Sequence, residues 1–147
     1  MQIALITFEQ FTDVDVFLPW DLLNRVKRPD WSVRILADAP RVTSRTGLGL
    51  EVHGDLAEAR EADAVIVTSG DLTRTLSKDA AFLAKLDLDP SRQLIGSMCS
   101  GALILGAKGP LPIPLELPVI KAFFVFLVFF MAFRVSETRR LVTVLYP

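Results

Sequence analysis

The fold of this chain is decided by residues 93–107, QLIGSMCSGALILGA, which contain its one cysteine. The stretch begins as a short apolar strand, turns at Cys99 and continues as an apolar helix rich in small residues. Small residues such as Gly96 and Gly101 allow a strand and a helix to approach closely around a turn of this kind. The pattern predicts a nucleophile elbow in which a thiol occupies the place of the nucleophile.

Two interpretations of Cys99 are open from the residues. A lone cysteine is commonly a small buried hydrophobic residue. At a strand-to-helix corner, however, the free N–H groups and the partial positive charge of the helix N-terminus favour a thiolate over a thiol. We therefore expect Cys99 to act as a nucleophile.

The composition bounds the class of protein. A length of 147 residues with 51% hydrophobic and 22% charged residues indicates one globular domain. The net charge is −1 and no basic stripe is present, which argues against a nucleic acid as partner. One cysteine and one histidine exclude an intramolecular disulfide and an ordinary zinc site. Because the N-terminus also lacks the basic region of a signal peptide, we expect a cytoplasmic protein without metal or cofactor.

Alternating strands and helices predict a parallel α/β sheet with right-handed crossovers. Strands are expected over 2–8, 31–37, 62–68 and the residues before Cys99, helices over 13–27 and 72–88, and a hairpin-like excursion over 41–56. Thr12 or Asp13 would cap the first helix, in which Pro19 would cause a kink or mark a broken first turn. Ser77 to Asp79 would interrupt the second helix. Ligands of such sheets collect at the carboxyl ends of the strands, where Cys99 and Gly70 both lie.

Asp15 is the informative carboxyl group of the first helix. It lies among Val14, Val16 and Phe17, where desolvation would raise its pKa. Taken alone, it is equally an acid that favours the helix N-terminus or a functional group. Asp13 fits the first role better, which leaves Asp15 for the site. His53, on a polar strand or turn, is expected at the surface and is not assigned to the site.

Three segments together resemble the ThiJ/PfpI family of the class I glutamine amidotransferase-like superfamily. GSMCSG at 96–101 resembles its cysteine turn, and DAVIVTSG at 63–70 is similar to the strand before its oxyanion loop. IALITF at 3–8 and DVDVFLPW at 13–20 are similar to its first strand and helix. The resemblance covers residues 1–109. The aspartate in the D-x-F-x-P-W pattern is closest to the isonitrile (isocyanide) hydratase branch.

The resemblance implies a flavodoxin-like parallel sheet sandwiched by helices. It also implies that a small molecule, an isonitrile, is hydrated to an N-substituted formamide by Cys99, which forms a thioimidate, with Asp15 as general acid and base. The N–H groups of Gly70 and Ser100 would bind the substrate as an oxyanion hole. Ser69 stands where the family more often has a glycine. A homodimer is a further expectation of the family.

Two alternatives to this enzyme stay open. The same fold serves as a redox-responsive or ligand-binding module, because an exposed thiol of low pKa is readily oxidised. The chain is otherwise an inactive truncated homologue, since the family's downstream histidine is missing and no histidine follows His53.

Residues 110–147 do not match the family. Four prolines over 110–118 are followed by the wholly apolar run AFFVFLVFFMAF at 122–133. This run is shorter than the about 20 residues that a membrane helix needs. It also suits a buried strand pair or a dimer surface, but we favour a tail that is foreign to the domain through a frameshift or a deletion. The prediction is thus an incomplete α/β domain over 1–109 and a divergent tail over 110–147, of which residues 133–144 could pair as a hairpin.

Overall fold

The computed structural model describes residues 1–109 and the backbone of two strands beyond them. The strands of residues 1–109 are β1 (Gln2–Ile6), β2 (Ser32–Ala37), β3 (Arg41–Thr43), β4 (Gly49–Glu51), β5 (Gly54–Asp55), β6 (Ala64–Val67) and β7 (Leu94–Ser97). The helices are α1 (Asp13–Asn24), α2 (Thr73–Leu76), α3 (Ala80–Lys85) and α4 (Ala102–Ala107), with 3-10 helices over Leu56–Glu61 and Cys99–Gly101.

Five strands form one parallel sheet in the order β5-β2-β1-β6-β7. This arrangement confirms the predicted parallel α/β fold. β1 lies between β2 and β6, and β7, which leads into the cysteine turn, lies beside β6. The carboxyl ends of β1, β6 and β7 therefore meet at one edge of the sheet.

The central strand β1 is buried on both faces, as its continuous apolar sequence predicts. Ala4 and Ile6 pack in one core cluster with residues of α3 and α4. Ile3 and Leu5 point to the opposite face, where they share a cluster with Val16 of α1. Helices cover both faces of the sheet because successive β1 side chains alternate between two apolar layers.

The helices differ from the prediction in their bounds. α1 ends at Asn24 rather than at residue 27, and it continues through Pro19. Pro19 has no N–H to donate to the carbonyl of Asp15, four residues earlier, so the helix lacks one bond there. The interruption expected at Ser77 to Asp79 is confirmed: the helix predicted over 72–88 is α2 and α3, and the Asp79 carboxylate begins α3 by accepting from the N–H groups of Ala81 and Phe82.

The excursion after β2 is only partly the predicted hairpin. β3 and β4 pair antiparallel, whereas β5 adds to the edge of the main sheet beside β2. The 3-10 helix that follows was not predicted. Its signal is the pair Asp55 and Glu58, which form a capping box: Asp55 Oδ1 accepts from Ala57 N at 2.9 Å, and Glu58 Oε1 accepts from Asp55 N at 2.8 Å.

Two strands of the tail belong to the described residues. β8 (Met131–Arg134) and β9 (Leu141–Val144) pair antiparallel, in agreement with the hairpin expected over 133–144. The proline-rich stretch and most of the apolar run lie outside the described residues, and with them the prediction of a foreign tail. Of the helices that the structure describes, none combines the length and the apolar character of a membrane-crossing helix.

Thr7 provides a test of the packing at the end of β1. It is 0% exposed, and its Oγ1 has no hydrogen-bond partner among the described residues. Because an unsatisfied buried hydroxyl costs free energy, Thr7→Val should raise the free energy of unfolding by about 1 kcal/mol in urea denaturation. Thr68→Val is the matched control, since the buried Thr68 Oγ1 donates to the Ile6 carbonyl at 2.9 Å. This control should be destabilised, and equal losses in both variants would show that the Thr7 hydroxyl is bonded.

Candidate active site

Three loops meet at the carboxyl edge of the sheet and are joined by backbone hydrogen bonds. The loop after β1 and the loop after β6 are linked twice, from Thr12 N to Ser69 O at 2.8 Å and from Asp71 N to Gln10 O at 3.0 Å. The turn after β7 begins with a bond from Met98 N to Val67 O at 2.8 Å. The start of the first helix, the loop after β6 and the turn that contains Cys99 are thereby held side by side.

Cys99 lies at the corner between β7 and the following helical turn. Its φ is +45°, a left-handed conformation that is rare outside glycine and that the surrounding structure must enforce. The residue is exposed, whereas its neighbour Met98 is buried in the core beneath it. The interpretation of Cys99 as a buried hydrophobic residue is therefore wrong, and the strand-to-helix corner is the predicted one.

Gly101 sets the distance between the cysteine turn and β6. A Cβ atom at this position would lie 2.4 Å from the Val67 carbonyl oxygen and 2.6 Å from that of Thr68. Both neighbours are backbone atoms that cannot rotate away. Glycine is required because the start of the helix rests directly on the end of the neighbouring strand.

Asp15 is 1% exposed, although it is a carboxyl group in the first turn of α1. Ser69 Oγ donates to Asp15 Oδ2 at 2.5 Å. Burial raises the pKa of Asp15, and the hydrogen bonds from Ser69 act in the opposite direction. The expectation of a desolvated carboxyl with a raised pKa is confirmed.

Asp13 has the opposite environment two residues earlier. Hydrogen bonding from Ser44 holds the pKa of Asp13 below its ordinary value, and a further bond comes from Thr46 Oγ1, which donates to Asp13 Oδ1 at 2.9 Å. The two aspartates of this turn therefore differ, because one is solvated and bonded to the β3–β4 hairpin and the other is buried against the β6 loop.

The predicted oxyanion residues are connected through Thr73, which sequence reasoning did not assign to the site. Gly70 N donates to Thr73 Oγ1 at 3.0 Å, Thr73 Oγ1 donates to the Gly70 carbonyl at 2.6 Å, and Ser100 Oγ donates to Thr73 Oγ1 at 3.1 Å. The Gly70 N–H is thus already engaged, so the oxyanion role of Gly70 and Ser100 stays a prediction. Thr73 was missed because it lies within a predicted helix and belongs to no recognisable motif.

Gly70 is held as closely as Gly101. A Cβ at Gly70 would lie 2.5 Å from the Gln10 carbonyl oxygen and 2.8 Å from Phe11 Cα. In the loop after β6 (the β6 loop), Ser69 contacts Asp15 and Gly70 is bonded to Thr73, the first residue of α2, which in turn accepts from Ser100. Through this loop the structure connects Asp15 with the turn that contains Cys99.

His53 does not belong to these contacts. Its ring stacks on Trp20 with centroids 4.9 Å apart, and its Nδ1 accepts from Ile35 N at 3.0 Å. It is exposed, as expected for a surface residue. In the part of the chain that the structure describes, no group of three or more His, Cys, Asp or Glu side chains is arranged to hold a metal ion.

The chain is similar to several known proteins. The chain is 30% identical over 111 residues to isonitrile hydratase of Pseudomonas putida, a match that covers 74% of this chain and 48% of the relative. It is similar to the crystal structure of a ThiJ/PfpI family protein from Pseudomonas syringae, with a TM-score of 0.65, 29% identity, and coverage of 73% of this chain and 45% of the other. No protein-family profile matches the chain.

A more distant likeness concerns the fold alone. DJ-1 of Schizosaccharomyces pombe superposes with a TM-score of 0.59 at 19% identity, over 77% of this chain and 65% of its own. The chain spans about half the length of the curated relative that it matches.

The close packing of the cysteine turn against the end of β6 is tested by two glycine variants of the same segment. Gly101→Ala should lower the free energy of unfolding by roughly 1–3 kcal/mol, because the added methyl group meets backbone oxygens. Gly106→Ala, in α4 with nothing within 4 Å of its added Cβ, should be neutral or stabilising by up to about 1 kcal/mol. Urea denaturation compares the two variants, and equal stabilities would contradict the close approach at Gly101.

The environments of the two aspartates predict opposite effects of pH on stability. The pKa of Asp15 is raised above 3.8, so its ionisation above that pH favours the unfolded chain. Asp15→Asn should therefore increase the free energy of unfolding more at pH 7 than at pH 3. Asp13→Asn should decrease it more at pH 7 than at pH 3, because the pKa of Asp13 is lowered. Denaturation at the two pH values measures both, and effects of the same sign would refute the assignment.

Proposed function

Because this chain belongs to the DJ-1/ThiJ/PfpI family, we propose that it is a cysteine-dependent enzyme that hydrates isonitriles to N-substituted formamides. The observation that carries the proposal is that an exposed Cys99 in a left-handed corner and a buried Asp15 of raised pKa lie at the same edge of the sheet. The substrate class comes from the similarity to isonitrile hydratase. Since the chain spans about half of that relative, the activity is proposed for the site described here.

In the first step the Cys99 thiolate attacks the terminal carbon of the isonitrile. A carbon–sulfur bond forms, and the carbon takes a proton from the protonated Asp15 carboxyl, which gives a thioimidate and an Asp15 carboxylate. A raised pKa supports this role, because it keeps a larger fraction of Asp15 protonated near neutral pH.

In the second step the Asp15 carboxylate takes a proton from water while the hydroxide oxygen bonds to the same carbon. Asp15 returns that proton to the nitrogen. The carbon–sulfur bond then breaks to release the thiolate, the hydroxyl proton passes to Asp15, and the formamide leaves. Each turnover consumes one isonitrile and one water, and both catalytic groups regain their starting protonation states.

The polar groups around Cys99 would bind the charge that develops opposite the attack. The Ser100 N–H lies in the first turn of its helix, where N–H groups have no partner within the helix. The Gly70 N–H could join it by exchanging its bond to Thr73 Oγ1 for one to the substrate. Gly70 and Ser100 are therefore proposed as the substrate-binding groups.

The reaction as written uses only protein groups and water, so the proposal includes no cofactor and no metal. The single cysteine fits a reducing compartment, and we place the activity in the cytoplasm. A homodimer is proposed on the family resemblance alone.

A second candidate function is a redox-responsive thiol. The exposure of Cys99 favours it, because an accessible cysteine at a strained corner can be oxidised to the sulfenic and then the sulfinic acid. The two candidates differ in whether Asp15 is needed.

Turnover of cyclohexyl isocyanide tests the proposed enzyme. Cys99→Ala should reduce formamide production to the uncatalysed rate, and Asp15→Asn should reduce it by about 10²–10⁴-fold, because a positioned acid and base is lost. Asp13→Asn is the matched control and should keep the activity. Formamide production that persists in Cys99→Ala would refute the covalent mechanism. A gain of two oxygens at Cys99 under mild peroxide, in a protein without turnover, would instead support the redox candidate.

A further inference from the structure

The Ser69 hydroxyl has two side-chain partners in a buried setting. Ser69 is 3% exposed, and its Oγ lies 2.5 Å from Asp15 Oδ2 and 3.1 Å from Thr12 Oγ1. Thr12 occupies the N-cap position of α1, yet its side chain makes no capping hydrogen bond. The threonine hydroxyl at the start of this helix is therefore directed to Ser69 rather than to the helix backbone.

The backbone holds these three side chains in place. Thr12 N donates to Ser69 O at 2.8 Å, and Asp15 N donates to Thr12 O at 3.1 Å. The β6 loop and the first turn of α1 therefore cannot separate without breaking main-chain bonds. The hydroxyl groups of Thr12 and Ser69 form a short row that ends on the Asp15 carboxyl.

A serine hydroxyl donates one proton and accepts on its lone pairs. The hydrogen bond between Ser69 and Asp15 can therefore have either residue as its donor. When Asp15 is ionised, Ser69 donates to its Oδ2. When Asp15 is protonated, the carboxyl donates to Ser69 Oγ, and Ser69 turns its own proton to Thr12 Oγ1. Both protonation states of the buried carboxyl are thereby bonded without any movement of the backbone.

We propose that Ser69, with Thr12 as its second partner, is the positioning residue that holds the Asp15 carboxyl in both of its protonation states. The role of Ser69 in turnover rests on the proposed function, in which Asp15 first gives a proton and then takes one. The contact itself, from Ser69 to Asp15, is independent of that function.

Charged neighbours do not supply an alternative account of Asp15. The causes of its pKa are burial and Ser69, with no contribution from a charged side chain among the described residues. At the same edge Asp13 is bonded to Thr46, and Arg45 lies 3.7 Å from the Asp71 carboxylate. Glu9, in the loop after β1, accepts from Thr43 N at 2.9 Å, and Cys99 lies on the neighbouring turn. Ser69 is thus the direct partner whose removal should change the titration of Asp15.

The titration of Asp15 can be followed by ¹³C NMR of protein labelled at the aspartate carboxyl carbons, with the Asp15 signal identified by its loss in Asp15→Asn. Ser69→Ala should raise the midpoint of this titration by about one pH unit, because the hydrogen bond to the ionised form is lost. Thr12→Val should lower the midpoint, because the Ser69 proton then has no acceptor when Asp15 is protonated. Thr68→Val, which removes the adjacent buried hydroxyl, should leave it unchanged.

The signs distinguish positioning from a merely structural role. A loosened loop would admit water to Asp15, which relieves its desolvation and lowers the midpoint in the Ser69 variant. An unchanged or lowered midpoint in Ser69→Ala, or a raised midpoint in Thr12→Val, would overturn the proposal. If Ser69→Ala does not fold, Ser69→Gly removes the same hydroxyl with less change in volume. If the wild-type protein shows no isonitrile turnover but the Asp15 midpoint still shifts as expected in the Ser69 and Thr12 variants, the proposed function is refuted and this inference stands.

Discussion

The candidate site depends on how closely the cysteine turn rests on the end of β6. At Gly101 the backbone of the turn and the carbonyls of Val67 and Thr68 leave no room for a side chain. This contact fixes the height of the turn above the sheet, and it places Ser100 within hydrogen-bond distance of Thr73. A side chain at Gly101 would lift the turn, and the contacts that join it to the β6 loop would then be lost.

The β6 loop is the element that connects the two proposed catalytic groups. Ser69 faces Asp15 of the first helix, and the next residue, Gly70, is bonded to Thr73, which in turn accepts from Ser100. Parallel pairing of β1, β6 and β7 brings the three loops together at one edge. The sheet thus explains why residues far apart in sequence lie together at the candidate site.

Burial of Asp15 opposes stability and supports the proposed chemistry. A carboxyl group that is 1% exposed is costly to ionise, and among the described residues the hydrogen bonds from Ser69 offset part of that cost. The left-handed Cys99 is a second unfavourable feature of the same edge. Both costs are offset by a sheet whose central strands are apolar and buried over Ile3 to Ile6 of β1 and Ala64 to Val67 of β6. A stable core of this kind permits strained and desolvated groups at its edge.

Local patterns of residues were sufficient to predict the parallel α/β class, the cysteine corner and the distinction between Asp13 and Asp15, because apolar runs, small residues around a turn and the neighbours of a carboxyl group are all visible in a short stretch of chain. They indicated the break at Ser77 to Asp79 but placed the helix ends at residues 27 and 88 too late, since α1 ends at Asn24 and α3 at Lys85. The contact between Ser69 and Asp15, and the hydrogen bond from the Gly70 N–H to Thr73 Oγ1, became visible only in the folded chain. Those contacts join segments separated by 54 residues in one case, and loop geometry, rather than residue type, sets which hydroxyl meets which partner.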